Sequence, residues 1–227
     1  AKRRRDTWTC DRVLSPRPFF MLIKKIDNNS ELDKVYKFIE TNLNLPKDRV
    51  RNLNFYKKAL KTSPQFLIYA EEDNEIKGAL LGIPEGSDGI LIGELAVSED
   101  SRGRGVGSLL LNEIENIAKN NEKKSILLGS LETSEKFYEK HAYLPKLFIQ
   151  LTGSGRLNEL KDFTNKYKLS NQISWENEDD SFSKIIIDTG KIDVKLQEKA
   201  NKIPDSHTQF LFFKEILMPN KKPERMY

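Results

Sequence analysis

The spacing of apolar residues along the chain predicts helices and strands in a mixed order. Residues 22–26 read as a first strand. A helix that begins near Ser30 keeps four apolar residues on one face: Leu32, Val35, Phe38 and Ile39. A second helix is predicted near residues 50–60, and three strand-like runs follow at 65–70, 76–83 and 90–97. The first part of the chain therefore predicts a strand, two helices and a three-stranded meander.

The pattern continues beyond the meander with more helices and strands. A glycine-rich turn leads into a helix from about Gly105 to Asn120, which keeps one face apolar. A strand at 125–128, a short helix at 133–140 and a strand at 146–152 follow. The remaining predicted elements are a helix near 157–167, a strand at 182–187 and a strand at 209–216. Residues 191–200 fit either a strand or a helix, and the mixture as a whole predicts an α/β class.

These patterns divide the chain into four predicted parts. They are a leader at 1–20, a core at 21–152, a C-terminal elaboration at 153–217 with a closing strand at 209–216, and a tail at 218–227. Met21 opens the first periodic segment, so we expect residues 1–20 to be a non-native extension. Their Lys-Arg-Arg-Arg run could instead be a localisation or nucleic-acid patch, or a solvated tail.

Composition and charge narrow the class of protein. The chain has 227 residues, of which 37% are hydrophobic, enough for one domain with a sizeable core. Its net charge is +4, but six of the 38 basic and two of the 34 acidic residues lie in the leader, which leaves 32 of each sign elsewhere. A neutral body favours neither a nucleic-acid partner nor an anionic membrane.

Cysteine content and hydropathy bear on the compartment. The single cysteine, Cys10, excludes an internal disulfide framework and favours the reducing cytoplasm. No apolar run approaches the roughly 18 residues of a spanning helix, so no membrane partner is expected. His141 and His207 are expected to be exposed, and no spacing of His, Cys, Asp or Glu predicts a metal site.

The most specific local feature is the segment Arg102-Gly103-Arg104-Gly105-Val106-Gly107, between a predicted strand and a predicted helix. Glycines let the backbone approach a ligand closely, and the first N–H groups of a helix are unpaired and partly positive. The segment therefore predicts a phosphate-binding turn with two arginines at its rim. From these six residues alone, an ordinary glycine turn is equally open. A Walker loop is excluded, because no Gly-Lys-Ser/Thr ending is present.

With its surroundings, this segment resembles the GNAT superfamily of N-acetyltransferases, whose signature is Arg/Gln-x-x-Gly-x-Gly/Ala after a strand. Arg102, Gly105 and Gly107 match that signature, and residues 94–101 match the strand and approach loop before it. Residues 137–143, Phe-Tyr-Glu-Lys-His-Ala-Tyr, resemble the family's Phe-Tyr-x-x-x-Gly-Phe segment. The resemblance implies a mixed, mostly antiparallel central sheet flanked by helices, with a C-terminal elaboration.

Two positions depart from the family pattern. Ala142 stands where the second segment has a glycine, and Leu131 stands where an asparagine often contacts the pantetheine arm. Neither departure blocks acyl-CoA binding, although the asparagine contact is lost.

The resemblance further implies that acetyl-CoA is the acyl donor, bound by residues 21–152. The backbone of Leu95, Ala96 and Val97 would bind the pantetheine arm and polarise the thioester carbonyl. The turn and the start of the helix would hold the pyrophosphate, through Arg102, Gly103, Arg104, Gly105, Val106, Gly107 and Ser108. Backbone donors fixed in advance at a developing oxyanion lower a barrier by about 3 kcal/mol each.

Two side chains are candidates for the proton transfers that direct acetylation needs. An amine must lose its proton before it can attack, and Glu94, on the predicted central strand, is the candidate base. Tyr138 is the candidate acid for the departing thiolate, because a phenol with a pKa of about 10 is protonated at neutral pH. Glu94 could instead be a solvent-facing residue or an ion-pair partner, and Tyr138 a packing residue.

The sequence thus predicts an acetyl-CoA-dependent N-acetyltransferase that acts on a primary amine of a small molecule, a peptide or a protein. One alternative is a non-catalytic acyl-CoA sensor on the same fold. Another is a nucleic-acid-binding module, which the neutral body disfavours. The acceptor is not specified, a homodimer is left open, and the acidic stretch from Trp175 to Asp180 is either part of an acceptor pocket or a solvated loop.

Overall fold

The computed structural model describes residues 21–43, 51–130, 132–153, 155–169, 172–176 and 181–217. Several predicted features lie outside the described residues: the leader at 1–20, Leu131, the tail at 218–227 and, from the acidic stretch, residues 177–180.

Eight elements form the first part of the described chain. They are β1 (Leu22–Lys25), α1 (Asn29–Leu43), α2 (Leu53–Thr62), β2 (Leu67–Glu72), β3 (Glu75–Glu85), β4 (Gly89–Val97), α3 (Val106–Asn120) and β5 (Ser125–Gly129). Local side-chain hydrogen bonds mark where α1 begins, because Asn28 Oδ1 accepts from the Glu31 amide at 3.0 Å. The Glu31 carboxylate reaches back to accept from the Asp27 amide at 2.9 Å. The order of these elements is the predicted one.

Seven elements form the second part. They are α4 (Glu135–Lys140), β6 (Leu144–Thr152), α5 (Leu157–Lys166), β7 (Gln172–Glu176), β8 (Phe182–Asp188), α6 (Val194–Ala200) and β9 (Ser206–Glu215). The segment that fitted either a strand or a helix forms α6, whose start is capped by Asp193 Oδ1 accepting from the Leu196 amide at 2.9 Å. The short strand β7 is an element that the sequence pattern did not predict.

All nine strands form one sheet in the order β1-β2-β3-β4-β5-β9-β6-β8-β7. The β4–β5 pair is parallel, and the other neighbouring pairs are antiparallel. The prediction of a mixed, mostly antiparallel sheet flanked by helices is therefore confirmed. The segment predicted as a closing strand overlaps β9, which lies between β5 and β6, while β8 and β7 extend the sheet beyond β6.

The two faces of the sheet carry different helices and separate hydrophobic clusters. On one face, α1 and α2 pack on β2–β4 through Leu32, Ile39 and Tyr56. On the other face, residues of α3, α4, α5 and α6 join one larger cluster, which includes Leu110, Tyr138 and Phe163. Strand β4 contributes side chains to both clusters, with Ile92 in the larger one and Ala96 in the other.

Candidate active site

A β-bulge in β4 decides which way its side chains point. In the pairing of β3 with β4, Leu81 lies opposite Glu94 and Gly82 lies opposite Ile92, so Gly93 is an extra residue in β4. Before the bulge, Ile92 points into the cluster beneath α3. After it, Ala96 points into the cluster beneath α1 and α2. The bulge therefore turns the side chain of Glu94 toward α2.

Glu94 is a buried carboxylate that is held by Arg51, which precedes α2, and by Tyr56, which lies within α2. It is 5% exposed. Its Oε1 accepts from the Tyr56 hydroxyl at 2.9 Å and from the Arg51 amide at 3.2 Å. The Arg51 Nη1 atom lies 3.9 Å from the same oxygen. Burial raises the pKa of Glu94 above its usual value, although these three donors oppose that shift.

Gly93 makes room for the groups that hold Glu94. A Cβ at Gly93 would overlap the hydroxyl oxygen of Tyr56 and would lie 3.0 Å from Arg51 Nη1. A glycine inside a strand often marks a bulge or the close approach of another group, and here it does both. The prediction that Glu94 could be a solvent-facing residue is wrong, because its carboxylate is enclosed beneath α2.

The strands β4 and β5 separate next to Glu94. They pair from Gly89 to Ile92, opposite Ser125 to Leu128. Within the described ranges, no strand pairing joins residues 93–97 to β5, whereas their other edge stays paired with β3 as far as Val97. The sheet is thus open at the predicted pantetheine-binding residues, Leu95, Ala96 and Val97. On that edge the Val97 carbonyl accepts from Arg102, and no strand of the described residues pairs with the other backbone groups, so an extended ligand has groups to pair with.

The glycine-rich turn forms the N-terminus of α3. Gly103 and Gly105 have φ angles of 74° and 87°, in the left-handed region that favours glycine. Gly105 is the N-cap of α3, and no side chain caps that end of the helix. The first turn of α3 therefore presents amides of Val106, Gly107 and Ser108 without helical partners, which fits a phosphate group.

The start of α3 is fixed against the sheet by close contacts. A Cβ at Gly78 of β3 would lie 2.6 Å from Val106 Cγ1, so α3 packs directly on the backbone of β3. A Cβ at Gly107 would lie 3.7 Å from Val97 Cγ2. The open edge of β4 and the first turn of α3 are therefore adjacent, as one ligand bound to both would require.

The two rim arginines bond to the protein itself. Arg102 donates from Nε to the Val97 carbonyl at 3.3 Å and from Nη2 to the Asn42 carbonyl at 3.2 Å. Arg104 Nη2 lies 3.1 and 3.0 Å from the two carboxylate oxygens of Glu72. Arg102 thus ties the end of β4 to the end of α1, and the charge of Arg104 is partly balanced by Glu72.

The segment 137–143 forms α4 and the turn after it, beside the start of α3. A Cβ at Gly107 would lie 3.1 Å from Cζ of Phe137, so these two helices are in close contact. Tyr138 is 7% exposed and packs on Phe212 of β9 with ring centroids 5.5 Å apart. Burial raises the pKa of Tyr138 to about 12, and no described residue hydrogen-bonds its hydroxyl.

A Schellman turn after α4 determines how this segment ends. The Ala142 amide donates to the Glu139 carbonyl at 2.9 Å, and the Tyr143 amide donates to the Tyr138 carbonyl at 3.1 Å. Ala142 has a φ of 60°, a conformation that favours glycine. The family's glycine at this position is thus explained by the backbone, and the alanine adopts the same conformation with some strain.

Three residues of the site were not singled out by the sequence as functional. Arg51 and Tyr56 come from a part of the chain with no recognisable motif. The expectation that His141 is exposed is wrong, because it is half-buried and its Nε2 lies 2.9 Å from Ser108 Oγ. Its position inside the segment 137–143 is the sequence feature that could have identified it. His207 is exposed, as expected.

No group of three or more His, Cys, Asp or Glu side chains among the described residues is arranged to hold a metal ion. No helix among these residues is both long and apolar enough to cross a membrane.

The comparison with protein families identifies the chain. A model of the acetyltransferase (GNAT) family matches residues 31–143, which include Glu94, the glycine-rich turn and Tyr138. The chain therefore belongs to the GNAT acetyltransferase family. A comparison with curated proteins found no match.

Solved structures with the same fold are distant in sequence. Ard1 from Thermoplasma volcanium is 12% identical with a TM-score of 0.52, and the match covers 87% of this chain and 98% of Ard1. The ribosomal-protein-S18-alanine N-acetyltransferase from Escherichia coli is 10% identical with a TM-score of 0.50, covering 92% and 99%. A candidate acetyltransferase from Pyrococcus horikoshii is 11% identical with a TM-score of 0.53, covering 90% and 94%. These similarities show the fold.

Proposed function

We propose that this protein is an acetyl-CoA-dependent N-acetyltransferase that transfers the acetyl group directly to a primary amine. The observation that carries this proposal is the gap between β4 and β5. Glu94 lies on the α2 face of the sheet beside this gap, and Tyr138 belongs to the cluster on the opposite face. A base and an acid on opposite faces suit a reaction in which the amine arrives from one face and the thiol leaves toward the other.

The donor side would be formed mainly by backbone groups. The amides of Val106, Gly107 and Ser108 would hold the pyrophosphate at the N-terminus of α3. The open edge of β4 from Leu95 to Val97 would bind the pantetheine arm by hydrogen bonds of the kind that pair strands. Acetyl-CoA bound in this way would supply an activated acetyl group as a thioester.

On the acceptor side, Glu94 would take a proton from the incoming ammonium group. The amine nitrogen would then have a lone pair with which to form a bond to the acetyl carbonyl carbon. The raised pKa of Glu94 supports this role, since a base accepts a proton more readily when its pKa lies nearer the working pH. The acceptor is a small molecule, a peptide or a protein that carries such an amine.

On the opposite face, Tyr138 would give its proton to the sulfur as the carbon–sulfur bond breaks. Its pKa of about 12 keeps the phenol protonated over the whole neutral range. As the amide forms, the nitrogen would lose its second proton, and the Tyr138 phenol would be restored from it through solvent. The products would then be an N-acetylated amine and the free thiol of CoA, and the proton held by Glu94 would pass to solvent.

An assay of thiol release tests the proposal directly. The full chain is mixed with acetyl-CoA and, in separate reactions, with polyamines, aminoglycosides and peptides that have a free N-terminus or lysine. We expect thiol release with at least one of these amines, together with acetylated product by mass spectrometry and tight CoA binding by calorimetry. CoA binding without thiol release across the panel would indicate a non-catalytic sensor instead. Absence of CoA binding would contradict both functions.

A further inference from the structure

The carboxylate of Glu94 is bonded asymmetrically. The Tyr56 hydroxyl, the Arg51 amide and the Arg51 guanidinium all approach Oε1, at 2.9, 3.2 and 3.9 Å. No described residue donates a hydrogen bond to Oε2. Oε2 is also not among the buried side-chain oxygens without a partner, so it keeps some contact with solvent although Glu94 as a whole is 5% exposed. An oxygen that is unbonded and open to solvent can receive a proton from an incoming group.

We propose that Tyr56 and Arg51 are positioning residues, which hold Glu94 by Oε1 so that Oε2 takes the proton from the acceptor amine. This inference rests on the proposed function, because it assigns a role to each oxygen of the proposed base. In this arrangement the proton moves from the ammonium nitrogen to Oε2, and Oε1 keeps its hydrogen bonds throughout. Tyr56 and Arg51 exchange no proton with the acceptor.

Further contacts keep the two positioning residues in place. The Tyr36 hydroxyl of α1 donates to the Arg51 carbonyl at 2.9 Å, which ties the backbone at Arg51 to α1. The Tyr36 and Tyr56 rings pack with centroids 6.4 Å apart. Tyr56 is fully buried, and it can reach Glu94 because residue 93 has no side chain. The arrangement therefore depends on contacts from α1, from α2 and from the bulge.

The groups that face Glu94 determine the direction of its pH response. They are the Tyr56 hydroxyl and the Arg51 guanidinium from the α2 side, and the Tyr36 hydroxyl from α1, with Glu40 next to Tyr36. Burial raises the pKa of Glu94, whereas the hydrogen bonds from Arg51 and Tyr56 lower it. Loss of the Tyr56 hydroxyl should therefore raise the pKa of Glu94 further, and the base would ionise only at higher pH.

Tyr56→Phe tests the inference, with Tyr69→Phe as the matched control. Tyr69 is 6% exposed in the same hydrophobic cluster, and no hydrogen bond links it to Glu94. We expect Tyr56→Phe to lower kcat about tenfold at neutral pH, as for loss of a hydrogen bond to a charged group. The activity should recover at higher pH, and KM for acetyl-CoA should not change. Tyr69→Phe should leave the pH profile of the wild type unaltered.

Gly93→Ala provides a second variant, which displaces the Tyr56 hydroxyl without removing it. We expect its pH profile to move in the same direction as that of Tyr56→Phe. An unshifted profile in both variants, with lower thermal stability alone, would overturn the inference.

The titration of the Glu94 carboxyl carbon can be followed by NMR in labelled full-length protein. This measurement tests the positioning role of Tyr56 and Arg51 separately from the proposed acetyltransferase function. It requires no acceptor, so it can be measured even if no amine in the panel is acetylated. An upward shift of the Glu94 titration in Tyr56→Phe supports the positioning role. An unchanged titration contradicts it. Failure of the wild type to release thiol would count against the proposed function alone.

Discussion

The hydroxyl oxygen of Ser108 lies 2.9 Å from Nε2 of His141, which joins the first turn of α3 to the turn after α4. The His141 ring also packs against Phe137, with centroids 4.8 Å apart. Burial lowers the pKa of His141, so the neutral ring is favoured at physiological pH. When Nε2 carries the proton, His141 donates to Ser108, and the hydroxyl hydrogen of Ser108 is left to donate to an anion.

Ser108→Ala should therefore weaken CoA binding without disturbing the fold. The variant loses one hydrogen bond to a phosphate oxygen, and we expect the Kd for CoA to rise about threefold to tenfold. Titration calorimetry measures this change. Ser30→Ala, at an exposed position in the first turn of α1, is the matched control and should bind CoA like the wild type. Equal affinities for all three proteins would place the phosphates elsewhere.

Tyr138→Phe should lower turnover far more than it weakens CoA binding. The phenol would no longer protonate the thiolate, and we expect kcat to fall about 100-fold. Tyr143→Phe is the matched control, since Tyr143 is buried nearby and its hydroxyl has no hydrogen-bond partner among the described residues. That control should keep full activity, and its free energy of unfolding should rise by about 1 kcal/mol. Equal turnover in both variants would remove Tyr138 from the mechanism.

Glu94→Gln should make the protein less active and more stable. We expect kcat to fall about 100-fold to 10,000-fold, as for loss of a general base. Because burial raises the folded-state pKa of Glu94, the ionised form destabilises the fold at pH values above that pKa. The stability gained in Glu94→Gln should therefore be largest at pH values above the folded-state pKa and should vanish as the pH falls from that pKa to the usual carboxyl pKa. Urea unfolding at several pH values measures it. A loss of stability at neutral pH would show that the ionised carboxylate holds α2 in place.

Ala142→Gly should stabilise the protein. Alanine in the left-handed conformation costs about 1–2 kcal/mol, and the greater freedom of glycine in the unfolded chain offsets part of that. We expect the free energy of unfolding to rise by about 0.5–1 kcal/mol, measured by urea unfolding. Ala59→Gly, inside α2, makes the same chemical change in a helical conformation and should lower the stability by about 1 kcal/mol or more. The same sign for both variants would contradict this explanation.

The glycine-rich turn and most of the fold could be predicted because their determinants are local. Gly105 lies between a strand and an amphipathic helix, and the helix begins one residue after it, at Val106. The alternation of β4 and the periodicity of α3 come from neighbouring residues. In contrast, the apolar residues of 191–200 fit both the two-residue period of a strand and the 3.6-residue period of a helix. The N-cap at Asp193 was the local feature that favoured a helix. The five-residue strand β7 was too short for its period to stand out.

The surroundings of Glu94 could not be predicted, since they depend on contacts distant in sequence. Tyr56 and Arg51 lie 38 and 43 residues before Glu94, and no local pattern relates them to it. The bulge did have a local indicator, because Gly93 interrupts a strand of large apolar residues. Its consequence, the turn of Glu94 toward α2, required the pairing with β3.

The bulge at Gly93 divides β4 into two halves. Even-numbered side chains face α3 before the bulge and α2 after it. Deleting Gly93 would restore a regular ladder and would rotate every later side chain of the strand to the other face. A carboxylate would then enter the apolar space beneath α3, and Leu95 and Val97 would face the amine. One extra glycine thus decides whether the side chain at position 94 faces α3 or the side of the sheet on which we propose that the amine binds.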